Sequence, residues 1–142
     1  MDETNAWAAK AAIAELITRY AALNDAGDWD GVAALYADDG RMSRPTAPDD
    51  FIAGRAAILA AFRSRPARAA RHIIANILVT LESETEARAT SQILLFTGVS
   101  TGEGLAVLST LPLVGSYRDR LTRTHQGWRF VERRGSLDFR AP

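Results

Sequence analysis

The sequence predicts an α+β domain in which three helices occupy the first 65 residues and a strongly bent antiparallel sheet of four long strands follows residue 70. Two observations carry this. Apolar residues recur three and four apart as far as about Ala70 and alternate singly from there to the carboxyl end. Glycine- and proline-bearing breaks fall between the periodic stretches, and no internal repeat or low-complexity tract interrupts them. With 142 residues, 15.4 kDa and 47% hydrophobic residues, the chain is the size of one domain, expected to span 1–142.

Ala9, Ile13, Leu16, Ile17, Tyr20 and Leu23 form one apolar stripe, so Asn5 to about Ala26 is predicted as a long amphipathic helix. Gly27 stops it, and Asp28 caps a second, shorter helix through Trp29, Val32, Leu35 and Tyr36, ended by Asp38, Asp39 and Gly40. Arg41 to Arg44 is expected as a short strand and Pro45 to Asp50 as a lid-like loop, since it holds two prolines and two aspartates. Gly54 to Arg63 is the third helix, with Pro66 closing it. Strands are then expected at His72 to Leu81, Ala87 to Val99, Leu105 to Thr124, with a break or bulge near Pro112 and Gly115, and Trp128 to Phe139.

Seventeen basic residues cancel seventeen acidic ones, so no whole-molecule field favours nucleic acid or an anionic membrane surface. The absence of cysteine excludes disulfides, thiolate metal sites and a cysteine nucleophile. Two histidines fifty-three residues apart make a two-histidine–carboxylate metal set unconvincing, and neither a phosphate-binding glycine loop nor a nucleophile elbow is present. No metal and no cofactor are expected. Asp2 and Glu3, followed by Lys10, Glu15 and Arg19, leave room for neither a signal peptide nor a membrane span, which points to a cytoplasmic protein. The alanine-rich composition with a single lysine is that of a GC-rich bacterium.

Three positions stand out chemically. His72 opens the apolar run His72-Ile73-Ile74-Ala75, where a polar ring needs a partner or a task, whereas His125 sits in a turn beside Gln126 and Gly127 and is read as solvated. Asp25 falls at the carboxyl end of the first helix, where its charge opposes the helix dipole, and so calls for a compensating partner. Tyr20, five residues earlier, projects from the same helix end at about 140° from Asp25. Further on, Tyr117, Asp119, Leu121 and Arg123 share one strand face and Arg118, Arg120, Thr122 and Thr124 the other; alternation alone does not say which faces inward.

The ordered set Ile13, Leu16, Tyr20, Asp25-x-Gly27-Asp28-Trp29-Asp30, Gly54-Arg55-x-x-Ile58, Arg71-His72-x-x-x-Asn76, Gly115-x-Tyr117-x-Asp119, Gly127-Trp128 and Arg133-Arg134 resembles the SnoaL-like branch of the nuclear transport factor two-like superfamily. That resemblance implies a cone-shaped α+β barrel, with three helices leaning on a curved, mixed, mostly antiparallel sheet around a deep apolar pocket. The superfamily includes dehydratases, a dehydrochlorinase, steroid isomerases and polyketide cyclases. In its dehydratases and dehydrochlorinase an aspartate ending the first helix pairs with a histidine opening the first long strand; Asp25 and His72 match these positions, and Tyr20 matches a pocket tyrosine. Arg123 corresponds to an arginine of the penultimate strand, and Tyr117 stands where scytalone dehydratase has a second pocket histidine. Trp29 and Asn76, within the same motifs, are expected to contact substrate alongside Tyr117 and Arg123.

Two functions follow from these residues. The first is a cofactor-independent lyase or isomerase, such as a dehydratase, cyclase or ketosteroid-isomerase-like enzyme. In it His72 abstracts a proton from a small apolar, cyclic or aromatic substrate, Asp25 orients the ring, and Tyr20 or Tyr117 assists at an oxygen. The second is a non-catalytic ligand-binding or assembly module, because the second half also resembles the β subunit of aromatic-ring-hydroxylating dioxygenases. In either case a homodimer through the outer sheet face is expected, covering Ile93, Leu95 or their alternates. Contact with Asp25 is expected to raise the pKa of His72.

Overall fold

Asp2 begins the first helix: its carboxylate accepts the Asn5 N–H at 2.8 Å, and α1 then runs over Glu3–Ala26. In the computed structural model, which describes residues 1–142, Gly27 ends α1 in the left-handed region (φ +70°), and Asp28 N–H reaches back to the Leu23 carbonyl at 3.0 Å. Asp28 then caps α2 (Trp29–Ala34) by accepting from Gly31 N–H at 2.9 Å. The chain thereby reverses immediately after Asp25, which leaves that side chain at a helix end facing the sheet.

The second helix is shorter than its apolar spacing suggests. It stops at Ala34, and Tyr36–Arg44 is a strand, β1, rather than a helix ending at Gly40. Pairing overrides local propensity here: β1 lies parallel to the last strand, Tyr36 opposite Phe130, and Phe130 N–H donates to the Leu35 carbonyl at 2.9 Å. The segment expected as a lid is also structured, as a turn followed by β2 (Ala47–Ala53), antiparallel to β1. Pro48 is tolerated because β2 is an edge strand, and Arg134 fastens it, donating to the Pro48 carbonyl at 3.1 Å and pairing with Asp49 at 2.6 Å. Arg55 opens α3 (Arg55–Arg63) and donates to the Tyr36 carbonyl at 3.0 and 2.6 Å.

The remaining strands are β3 (Ala69–Leu81), β4 (Glu86–Val99), the short β5 (Val107–Leu108), β6 (Leu113–Thr124) and β7 (Gly127–Leu137). The expected break near Pro112 is real and separates β5 from β6. The sheet order is β2-β1-β7-β6-β4-β3, with β5 on β4; all pairs are antiparallel except β1 with β7. Three helices packed on this curled, unclosed mixed sheet make the cone-shaped α+β fold. No helix is long and apolar enough to cross a membrane.

Cross-strand rows assign the faces. His72, Leu95 and Leu113 are successive partners across β3, β4 and β6, and they point toward the helices. The next row, Ile73, Leu94 and Val114, points away, with Ile73 exposed. Ile93 and Leu95 therefore belong to the concave side, and their alternates to the outer one. Along β6, Tyr117, Asp119 and Leu121 face inward and are buried.

One close approach packs β7 against the turn between β1 and β2. A Cβ on Gly135 of β7 would lie 2.6 Å from the backbone nitrogen and Cδ of Pro45, neither of which can rotate away. Gly135→Ala is expected to destabilise the protein by about 1–3 kcal/mol through overpacking, read as a lower urea midpoint at unchanged slope.

Candidate active site

The helix-end charge and the strand-opening ring meet. Asp25 Oδ2 and Oδ1 accept the main-chain N–H of His72 at 3.0 and 3.2 Å, and Oδ1 also bonds His72 Nδ1. A carboxylate can only accept, so the shared proton sits on Nδ1, and Nε2 is left as the unprotonated, free ring nitrogen. Both side chains are largely shielded, 11% exposed for Asp25 and 6% for His72. Against expectation, the His72 pKa lies below its usual value: burial penalises the imidazolium more than the Asp25 hydrogen bond and charge favour it, and Arg68 and Arg133 push the same way as burial. The ring is thus kept neutral.

His72 borders a cavity of about 380 Å³ between helices and sheet, the size of a small-ligand site. Ile93, Leu95 and Leu113 from the sheet, Met42 from β1 and the rings of Tyr20 and Tyr117 give it apolar walls. Tyr36 donates to Tyr20 Oη at 3.2 Å, which leaves the Tyr20 proton for another acceptor. Burial raises the pKa of all three tyrosines, so they remain neutral donors.

Of the residues singled out in sequence, the structure brings Asp25, His72, Tyr20 and Tyr117 together and separates three others. Asn76 shares parity with His72 only if β3 is regular. A register shift between Ala75 and Leu78 breaks it, Asn76 takes the left-handed conformation (φ +53°), and its exposed amide bonds Gln92 instead. Arg123 is exposed near Asn5 and Ala8, at the amino end of α1. With a rise of 1.5 Å per residue, that is roughly 25 Å along the helix from Asp25. Trp29 stacks on Phe62, with centroids 5.4 Å apart, and joins α2 to α3 rather than lining the cavity.

Other cavity groups escaped the sequence reading. Asn24 lies one turn beyond Tyr20 on the inward face and is 7% exposed; a polar residue on an apolar stripe was a legible signal. Ser43, Arg44, Arg65 and Arg68 come from β1 and from the α3–β3 connection, where no periodicity marks them. Behind the aromatic wall, Arg133 and Asp119 form a wholly buried pair, Nε to Oδ1 3.1 Å. The guanidinium lies over Tyr117 (3.8 Å), Tyr20 (4.3 Å) and Phe130 (4.7 Å). Burial lifts the Asp119 carboxyl to about 6, with Arg133 pulling the other way.

A curled sheet with helices closing one side, and an Asp–His pair at the edge of a cavity, define a protein of the cone-shaped α+β class. Residues 5–134 match the family model described as SnoaL-like domain, and the chain belongs to that family. Among solved structures it is similar to an NTF2-like protein with a cystatin-like fold from Novosphingobium aromaticivorans, with 28% identity, TM-score 0.75, and 99% of this chain and 92% of that one covered. A candidate scytalone dehydratase from the same organism shares 23% identity at TM-score 0.80, covering 99% and 94%. A type 2 hexachlorocyclohexane dehydrochlorinase, LinA, shares 16% at TM-score 0.83, covering 99% and 93%. No curated protein matches the sequence.

Asp119→Asn leaves the Arg133 charge uncompensated among aromatic rings. It is expected to cost about 3–5 kcal/mol, measured by chemical denaturation at pH 7.5, where the wild-type carboxyl is ionised.

Proposed function

We propose that the protein is a cofactor-independent lyase or isomerase acting on a small, mostly apolar ring compound. The observation that carries this is the Asp25 carboxylate gripping both the main-chain N–H and Nδ1 of His72, which leaves Nε2 of a cavity-lining ring without a partner. In this reading Nε2 takes a proton from carbon beside a carbonyl or a leaving group, and the C–H electron pair becomes a carbon–carbon double bond or an enolate. Asp25 stabilises the imidazolium formed. Tyr20, whose own proton is free, donates to the carbonyl oxygen or to the departing hydroxyl. The family membership supports this reading, as does the likeness to structures named for a dehydratase and a dehydrochlorinase.

The test is deuterium exchange from solvent into cyclic ketones and β-hydroxy ketones, followed by NMR. Wild-type protein is expected to exchange an α-proton; His72→Gln is expected to lose about 10²–10⁴-fold with its melting temperature preserved, and equal exchange by the variant would sink the base assignment. Because the base form is needed and its pKa lies below 6.5, kcat/KM should hold constant through neutrality and fall only as pH drops below that value. Asp25 raises the His72 pKa, so in Asp25→Asn the acid limb should move to still lower pH while the plateau falls.

We further propose a homodimer through the outer sheet face, where Ile73 is exposed beside half-buried Leu94 and Val114. Light scattering should give twice the 15.4 kDa chain mass, and Ile73→Glu should return the monomer.

A further inference from the structure

The cavity is apolar within and cationic at its rim. Met42, Ser43, Ile93, Tyr20 and Tyr117 are buried, whereas Arg44 and Arg65 are half-buried and Arg68 is exposed. The two aspartates nearest in function, Asp25 and Asp119, are both occupied, one by His72 and the other by Arg133, and no carboxylate lines the cavity wall. None of the three rim arginines has a salt-bridge partner or a side-chain hydrogen bond, although seven other arginines of the chain pair with a carboxylate. Arg44 Nε is buried without a partner, and the Arg65 guanidinium carbon lies over the Phe62 ring, 4.1 Å from its centroid, a contact that favours its position. Burial lowers the Arg65 pKa, Arg44 and Arg68 push the same way by charge repulsion, and only the Tyr20 and Tyr117 side chains, with no carboxylate, push against them. A second, independent sign comes from Ser43. Its side chain lines the same cavity at 1% exposure, and its hydroxyl has no hydrogen-bond partner in the protein.

We propose that the ligand of this cavity carries one oxyanion, a carboxylate, sulfate or phosphate, held at the rim by Arg44, Arg65 and Arg68 with Ser43 as an additional donor, while its ring lies against Ile93, Leu95 and Leu113. This deepens the functional reading above and rests on the cavity being a ligand site, not on His72 being a base. Chemically the match is direct: guanidinium groups bind oxyanions through charge-assisted, often bidentate hydrogen bonds, and an anion among three like charges relieves their repulsion. Anchoring at the rim also restricts the orientation of the ring beside His72 and Tyr20, which line the same cavity.

Isothermal titration of the intact protein with 2-naphthoate, 2-naphthyl phosphate and uncharged methyl 2-naphthoate tests this. The tighter of the two anions is expected to bind at least about ten-fold better than the ester, and to weaken as salt rises from about 50 to about 500 mM. Which anion wins tells a ring carboxylate from a phosphate ester. Arg44→Gln, Arg65→Gln and Arg68→Gln should each weaken the anion by about 3–30-fold and leave the ester within about two-fold; Arg68, being exposed, provides a variant whose fold is not at stake. An ester that binds as well as both anions, variants that weaken anion and ester in parallel, or binding by none of the three would overturn the proposal. Exchange by wild-type and His72→Gln protein separates the two readings: equal exchange by both with the anion preference retained removes only the base role, and His72-dependent exchange without an anion preference removes only the rim.

Discussion

A single carboxylate at the seam between α1 and β3 sets the geometry on which the cavity depends. Asp25 stands where a helix presents its unsatisfied carbonyls, an unfavourable place for a negative charge. Its compensation comes from the strand: one main-chain N–H and one ring N–H of His72, both directed at the same carboxylate. The helix end is thereby tied to the sheet at one residue, and the imidazole is fixed in tautomer and orientation by the contact that relieves the helix. Reach is supplied by the abrupt stop at Gly27 and the cap at Asp28, which turn the chain away before it can cover the carboxylate.

Deeper in the cone a second charge arrangement works by a different balance. Arg133 is enclosed by Tyr20, Tyr117 and Phe130, and Asp119 is its one acidic partner. Ring faces offer a cation partial compensation that aliphatic side chains do not, so this charge is tolerated where Leu or Ile neighbours would expel it. The arrangement also stiffens the two tyrosines that form part of the cavity wall. Their hydroxyls, kept neutral by burial, are presented to the cavity as hydrogen-bond donors and not as anions.

The electrostatics of the cavity follow from these two occupied carboxylates. Asp119 and Arg133 offset each other behind the wall and Asp25 is held by two hydrogen-bonding groups of His72, so the unpaired cations at the cavity are Arg44, Arg65 and Arg68 at the rim. Burial, with smaller pushes from Arg68 and Arg133, favours a neutral imidazole, which is why His72 titrates low in spite of a carboxylate at contact distance.

From the sequence alone the α+β class, α1, α3, the long strands and the Asp25–His72 pairing were legible. Each rests on a local period or on a residue that is costly where it stands: a charge at the wrong helix pole, a ring in an apolar strand. Tertiary structure alone decided the rest. Tyr36–Arg44 is a strand because β7 pairs with it in parallel, a contact 94 residues away for Tyr36 and Phe130 that no local pattern encodes. Asn76 left the cavity because a bulge of one residue reverses the parity of a strand, and Arg123 because strand alternation fixes a face but not a height along the cone. The rim arginines were invisible for the same reason: a cavity collects side chains by distance in space, whereas periodicity records only neighbours along the chain.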